Sequence, residues 1–212
     1  MKTALLQLPV SFDKNENLSR AGEAIAWAAE KGADIAVLPE MFTCPYSNKY
    51  FADYAEEGFG PTRTALAGFA AKHGIYVVGG SMPEREDGKI YNTSFVYDRS
   101  GRQIARHRKM HLFDIDVRGG QRFFESETFT PGDDVTTFET EFGVMGLCIC
   151  FDIRFPELSR LMALRGAKVI FVPAAFNMTT GPAHWELAFR QRAVDSQLFT
   201  VGVSPARDEK GV

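Results

Sequence analysis

Two stretches of this chain carry the same local signal, and together they set what it can fold into. Residues Asn17 to Lys31 place Leu18, Ala21, Ile25 and Ala28 at helical spacing, and Gly32 stops the helix. The chain then runs Ala33-Asp34-Ile35-Ala36-Val37-Leu38-Pro39-Glu40, a short apolar strand that ends in proline and a carboxylate. Phe155 to Arg165 repeats the helix, Gly166 repeats the stop, and Ala167 to Pro173 repeats the strand and its proline. The two glycines lie too far apart for a solenoid repeat. Two related helix–strand halves, one in each layer of a two-sheet sandwich, fit the pattern better than two unconnected units.

The segments between them agree. Pro61 opens a helix that Gly74 closes, and Ile75 to Gly80 reads as a strand. Tyr91 to Asp98 and Arg102 to Lys109 form a hairpin about Arg99-Ser100-Gly101, and Val135 to Glu139 pairs with Val144 to Cys150. His184 to Ser196 is a further helix and Leu198 to Val203 a last strand, while Lys49 to Gly60 and Ser81 to Lys89 read as surface loops. The fold class is therefore α/β, with mixed sheets covered by helices.

Composition narrows the functional classes. In 212 residues, 45% are hydrophobic, 24% are charged and the net charge is −3. That balance argues against disorder, a nucleic-acid binder or a membrane-surface protein. The basic run Arg99, Arg102, Arg106, Arg108 and Lys109 reads as a solvated strand face with Lys109 turned inward. Gln7 and Pro9 interrupt the first apolar segment, so it reads as a buried strand rather than a signal peptide. The 3 cysteines are too few for a disulfide scaffold and favour a reducing compartment, so the expected location is cytoplasmic.

Chemistry concentrates where strands end. Cys148 and Cys150 alternate along one strand, and Cys150 closes it before Phe151-Asp152-Ile153-Arg154-Phe155-Pro156 opens a helix. At such a turn, free backbone N–H groups can bind an oxyanion and favour a thiolate. A buried structural cysteine is the commoner outcome for this residue type. A Cys–His arrangement is the usual activation, but none of His73, His107, His111 and His184 sits clearly at a strand end. Glu40 follows one strand, Lys109 ends another, and Cys150 ends a third. A carboxylate, a cation and a thiol suffice for acyl transfer.

With these residues in view, the chain resembles the nitrilase, or carbon–nitrogen hydrolase, superfamily, whose mark is a Glu–Lys–Cys triad. The matching segments are Leu38-Pro39-Glu40-Met41-Phe42, Arg108-Lys109-Met110-His111-Leu112 and Cys148 to Glu157. Within the superfamily it is most similar to the omega-amidases, through Ser47 to Phe51, Lys109 to Val117, Phe176 to Leu187 and Ser204 to Asp208. The resemblance implies an αββα sandwich of two mixed sheets flanked by helices. It implies Glu40 as general base, Lys109 as the cation at the oxyanion, Cys150 as nucleophile and the Phe151 backbone N–H as a second oxyanion donor. Glu125, in Phe123-Phe124-Glu125-Ser126, takes the place of a further glutamate that orients Lys109 or the amide. No metal and no cofactor are implied.

The implied substrate is a small linear amide bearing a carboxylate, of the 2-oxoglutaramate or 2-oxosuccinamate type. Arg154, four residues past Cys150, is the candidate for its carboxylate; the alternative for Arg154 is a structural ion pair with Asp152 or Glu157. Phe42, Tyr46, Phe113 and Phe176 are expected to wall the pocket, with Asn177 and Thr179 donating hydrogen bonds. Expected partners are the amide substrate and further copies of the chain, as a homodimer or higher homo-oligomer, with no nucleic acid and no membrane. Residues 1–212 read as one domain, expected to lack two C-terminal strands and a tail that such proteins carry. Another carbon–nitrogen hydrolase, such as a carbamoylase or an aliphatic amidase, and a non-catalytic protein of the same fold are the competing readings.

Overall fold

A computed structural model describes residues 1–207 of the chain; Asp208 of the omega-amidase-like Ser204 to Asp208 segment lies outside the described residues. Strands β1 (Thr3–Leu5), β2 (Ile35–Val37) and β4 (Tyr76–Val78) run parallel at one end of the first sheet. The long strand β6 (Lys89–Tyr97) carries β4 and β5 (Met82–Glu86) along one edge and β7 (Gln103–Arg108) along the other, all antiparallel. The two-residue strand β3 (Glu56–Glu57) finishes the sheet beside β5. The second sheet has the order β10 (Thr136–Thr140), β11 (Gly143–Leu147), β12 (Val169–Pro173), β13 (Phe199–Val203), with only the first pair antiparallel. A separate hairpin, β8 (Asp114–Asp116) and β9 (Arg122–Phe124), leads into a 3-10 turn at Glu125–Glu127.

Side-chain alternation sorts the two sheets into four layers. Ile35, Val37, Val78 and Val96 on one face of the first sheet meet Phe138, Met145, Leu147 and Phe171 of the second. The opposite face of the first sheet, with Ala36, Val77 and Phe95, packs on α1 (Lys14–Glu30) and α3 (Pro61–His73). Ile170 and Val172 face outward from the second sheet onto α4 (Pro156–Leu164) and α5 (Gly181–Ser196). The result is a helix–sheet–sheet–helix sandwich, and the two repeated units occupy matching places in opposite sheets.

Several local expectations need correction. Helix α1 begins one turn before Asn17 because Asp13 caps it, accepting from the backbone N–H groups of Asn15 and Glu16. The segment read as a loop from Lys49 contains α2 (Asn48–Tyr54), capped by Ser47 and anchored by the buried Phe51. One buried ring in a short helix leaves no period to detect. The charged segment from Ser81 contains β5, whose Glu84 is buried against Arg108 at 2.8 Å and Thr93 at 2.8 Å. The basic run is neutralised in place: Arg99 pairs with Asp34 and Glu141, and Arg106 and Arg108 pair with Glu84 and Glu86. Among the described residues no helix is long and apolar enough to cross a membrane.

One glycine ties the sheet to the strand end that carries Glu40. Gly80 has a φ of 58°, and a Cβ there would lie 2.2 Å from the Pro39 carbonyl oxygen, next to Glu40. Gly80→Ala is expected to lower unfolding free energy by about 1–3 kcal/mol in urea titration. An unchanged midpoint would show that the Pro39 turn yields freely. Phe171, fully buried between the sheets, gives the comparison: truncation to Ala is expected to cost about 3–5 kcal/mol.

Candidate active site

The equivalent ends of the two repeated units meet. The chain leaves β2 at Leu38-Pro39-Glu40 and leaves β12 at Pro173-Ala174, and the Glu40 backbone N–H donates to the Ala174 carbonyl at 3.4 Å. Glu40 is thereby held at the seam between the sheets, with Met41 at a φ of 52° turning the chain away. Its side chain is fully buried.

Lys109 lies immediately after β7. Its backbone N–H donates to the Asn92 carbonyl on β6 at 2.9 Å, and its own carbonyl accepts from Gly132 at 2.9 Å. Thus pinned, its fully buried ammonium donates to Glu40 Oε1 at 2.9 Å and to Glu125 Oε1 at 2.9 Å. Glu125 comes from the turn after the β8–β9 hairpin, and its Oε2 accepts from the Phe113 backbone N–H at 2.7 Å. Tyr46 Oη bridges the two carboxylates, reaching Glu40 Oε1 at 3.2 Å and Glu125 Oε1. Asn92 Nδ2 completes the set with a 2.8 Å bond to Glu40 Oε1. One oxygen of Glu40 is therefore crowded with donors, while Oε2 is buried and has no hydrogen-bond partner among the described residues.

Cys150 reaches this cluster by an unusual backbone turn. Strand β11 stops at Leu147, and Cys150 takes a φ of 47°, opening a 3-10 turn over Cys150–Arg154. Simple alternation would place Cys148 and Cys150 on one face. Instead Cys148 packs into the core under α4 and α5, and the left-handed Cys150 turns toward Glu40 and lines a small cavity. Phe151 follows it, and α4 begins only at Pro156.

The turn is clamped by Asp152, which the sequence suggests only as a partner for Arg154. Its carboxylate accepts from the Ile149 backbone at 3.0 Å and the His111 backbone at 2.9 Å, and bonds His107 Nε2 at 3.0 Å and His111 Nδ1 at 2.8 Å. The same side chain thus joins the segment after Lys109 to the segment carrying Cys150. The histidines serve this clamp rather than the thiol.

Electrostatics follow from burial and charge. Burial pushes the Lys109 ammonium toward neutrality, but the Glu125 and Glu40 carboxylates overcome it and raise its pKa. Burial, with help from the Glu40 charge, raises the Cys150 thiol against the pull of Lys109. Tyr46 is raised by burial and by the same two carboxylates. Asp152 is pushed up by burial, but its histidine and backbone hydrogen bonds hold it well below the usual carboxylate range. The resting site sets a charged lysine and a neutral thiol beside a Glu40 oxygen that has no hydrogen-bond partner among the described residues.

The cavity beside Cys150 is lined by Tyr46, Phe113, Phe151 and Phe176, and by Arg154, Asn177 and Thr180. Two expected members are elsewhere. Phe42 packs in the core between the first sheet and its helices. Thr179 is exposed; Thr180, one residue on, takes the pocket position and accepts from Arg154 Nη2 at 3.3 Å. Arg154 makes no ion pair with Asp152, Glu157 or any other carboxylate among the described residues, and lies 5.1 Å from the Phe151 ring and 5.2 Å from the Phe176 ring. Among the described residues no group of three or more His, Cys, Asp or Glu is arranged to hold a metal ion.

A fold of two stacked sheets with a thiol, a carboxylate and an ammonium at its seam defines a thiol acyl-transfer site. The family profile for carbon–nitrogen hydrolase matches residues 2–212. The chain is 51% identical to the omega-amidase NIT2 of Xenopus tropicalis over 209 residues, covering 99% of this chain and 76% of that protein. It is 49% identical to the human omega-amidase NIT2 over the same shares. Among solved structures, Saccharomyces cerevisiae Nit3, a member of branch 10 of the nitrilase superfamily, superimposes with a TM-score of 0.89 at 41% identity, covering 99% of this chain and 77% of that one. The chain belongs to the carbon–nitrogen hydrolase family, whose amidohydrolase chemistry runs through a cysteine nucleophile.

Lys109 carries stability as well as charge. Because its folded pKa is raised, its contribution is complete below the ordinary value of 10.5 and is lost only as pH rises toward the higher folded value. Lys109→Met leaves two buried carboxylates facing each other, and is expected to cost about 3–5 kcal/mol at pH 7. In the variant the carboxylates repel and take up a proton, so the deficit is expected to shrink on acidification from pH 7 to about pH 5. Urea midpoints at the two pH values check this; a deficit that is equal at both would contradict the ion-pair account.

Proposed function

We propose that the chain is an omega-amidase, hydrolysing the terminal amide of a small dicarboxylic acid monoamide to the diacid and ammonia. The observation that carries the substrate class is Arg154. A half-buried guanidinium beside the nucleophile, flanked by two aromatic rings and without a carboxylate partner among the described residues, suits a substrate carboxylate. The names of the omega-amidase relatives support the same reading.

On this reading each residue takes a step. Glu40 Oε2 accepts the Cys150 proton as sulfur attacks the amide carbon. The Lys109 ammonium and the Phe151 backbone N–H face the oxyanion that forms. Glu40 returns its proton to the departing nitrogen, ammonia leaves, and a thioester remains on Cys150. Water then gives a proton to Glu40 as its oxygen attacks the thioester, the carbon–sulfur bond breaks, and the sulfur recovers the proton. Glu125 and Tyr46 hold Lys109 and Glu40 in register throughout. The cavity beside Cys150 holds about 10 Å³, so substrate enters only as its lining side chains move apart.

The experiment is ammonia release from 2-oxoglutaramate and succinamate, with Cys150→Ala as the inactive control. Arg154→Gln is expected to lower kcat/KM for these substrates by about 100-fold or more, the size of a lost charge-assisted pair. The same variant is expected to change turnover of a neutral aliphatic amide by less than about threefold. Equal losses on both substrates, or none on the carboxylated ones, would contradict the assignment of Arg154. Turnover of neutral amides alone by the folded wild-type protein would point to an aliphatic amidase.

A further inference from the structure

Asn177 follows β12 and lines the cavity beside Cys150 together with Arg154 and Thr180. Its carboxamide is not free to turn. Oδ1 accepts from the Thr179 backbone N–H at 3.0 Å, from the Thr180 backbone N–H at 2.9 Å and from the Thr180 hydroxyl at 3.2 Å. Two backbone N–H groups can face only the oxygen, so this bonding fixes which end of the amide is which. Nδ2 is left buried, with no hydrogen-bond partner among the described residues. Arg154 is one hydroxyl away: its Nη2 donates to Thr180 Oγ1 at 3.3 Å, and its Nε is also buried without a partner among the described residues. The one proton of the Thr180 hydroxyl and the one oxygen of the Asn177 side chain are both spent. Asn177 and Arg154 thus each keep an unspent N–H donor, one neutral and one cationic, at the same corner of the cavity.

We propose that Asn177 is a specificity-determining residue that reads the substituent next to the substrate carboxylate and selects an oxo oxygen there. The inference rests on the omega-amide reading, in which Arg154 takes the carboxylate. Because Thr180 ties the two side chains together, a carboxylate on Arg154 brings the neighbouring carbon to Asn177. An oxo oxygen on that carbon accepts from Nδ2 and satisfies a buried donor that is costly to leave unpaired. A methylene in its place leaves Nδ2 unpaired. An ammonium in its place brings three more donors to a corner that already holds an amide N–H and a guanidinium. The order of preference is therefore 2-oxo acid amide, then plain acid amide, then 2-amino acid amide.

The test compares 2-oxosuccinamate with succinamate, which differ only in the 2-oxo group, and with asparagine, which carries an ammonium in its place. Succinamate has the carboxylate and no oxo group, so its turnover tests the omega-amide reading by itself. Wild-type kcat/KM is expected to be about 10-fold or more higher for 2-oxosuccinamate than for succinamate, and lowest for asparagine. Asn177→Asp and Asn177→Ser each keep an oxygen for the turn onto Thr179 and Thr180, and each loses Nδ2. Both folded variants are expected to lower kcat/KM for 2-oxosuccinamate about 10-fold more than for succinamate, so that the preference for the oxo group collapses. A purely structural role for Asn177 would lower both substrates equally and leave their ratio unchanged. An unchanged ratio in either folded variant would overturn the proposal. So would a wild-type protein that hydrolyses succinamate as well as 2-oxosuccinamate, or asparagine as well as either, and the omega-amide reading would then stand without it. If the folded wild type hydrolyses neither succinamate nor 2-oxosuccinamate, the omega-amide reading fails and the assignment of Asn177 falls with it.

Discussion

The site depends on one buried ammonium. Lys109 has no access to solvent, and taking such a charge out of water costs several kcal/mol unless it is paired. Glu40 and Glu125 supply that pairing, and each arrives from a different part of the chain: one from the end of β2, the other from the turn after the β8–β9 hairpin. The arrangement works in both directions. Without the lysine the two carboxylates would repel; without either carboxylate the lysine would lose its charge or its place. The ion triplet therefore fixes the relative positions of three loops that the sheets alone would leave to drift.

The sandwich makes this possible by stacking equivalent strand ends. Glu40 and Ala174 follow the same proline in the two repeated units, and a backbone hydrogen bond joins them. Cys150 enters the seam through its own left-handed backbone, in the turn after β11, and the Asp152 clamp holds that turn against the segment after Lys109. Base, cation and nucleophile are thus positioned by backbone contacts, and the side chains need little reordering to react. The neutral thiol is consistent with this design. A proton that stays on sulfur until substrate arrives spares the interior a buried thiolate beside the Glu40 charge.

The sequence made the strand ends legible, and with them Glu40, Lys109 and Cys150, because a charged or nucleophilic residue right after an apolar run stands out. It made the layers legible too, through the repeated helix–glycine–strand unit. What it hid has physical reasons. Asn92 lies mid-strand and reaches Glu40 only through the pairing of β6 with its neighbours, which no local pattern reveals. Asp152 sits two residues from Cys150, yet its partners come from another strand, His107 from within β7 and His111 from just after it. The strand β5 was masked by its charges, which are buried as pairs. Thr179 and Thr180 differ by one residue in a loop whose turn is set by the Asn177 side chain, accepting from both of their backbone N–H groups. Phe42 looked like a pocket wall because aromatic residues serve core and pocket alike.

The most direct test of the central claim is the protonation state of Lys109 itself. Lysine side-chain NMR, with the Lys109 signal assigned by its absence in Lys109→Arg, follows each ammonium through alkaline titration. Lys109 is expected to remain charged after the other lysines have titrated, above their ordinary value of 10.5. A Lys109 signal that titrates at or below that value would mean that Glu40 and Glu125 do not outweigh the cost of burial, and the ion triplet would not be what holds the site together.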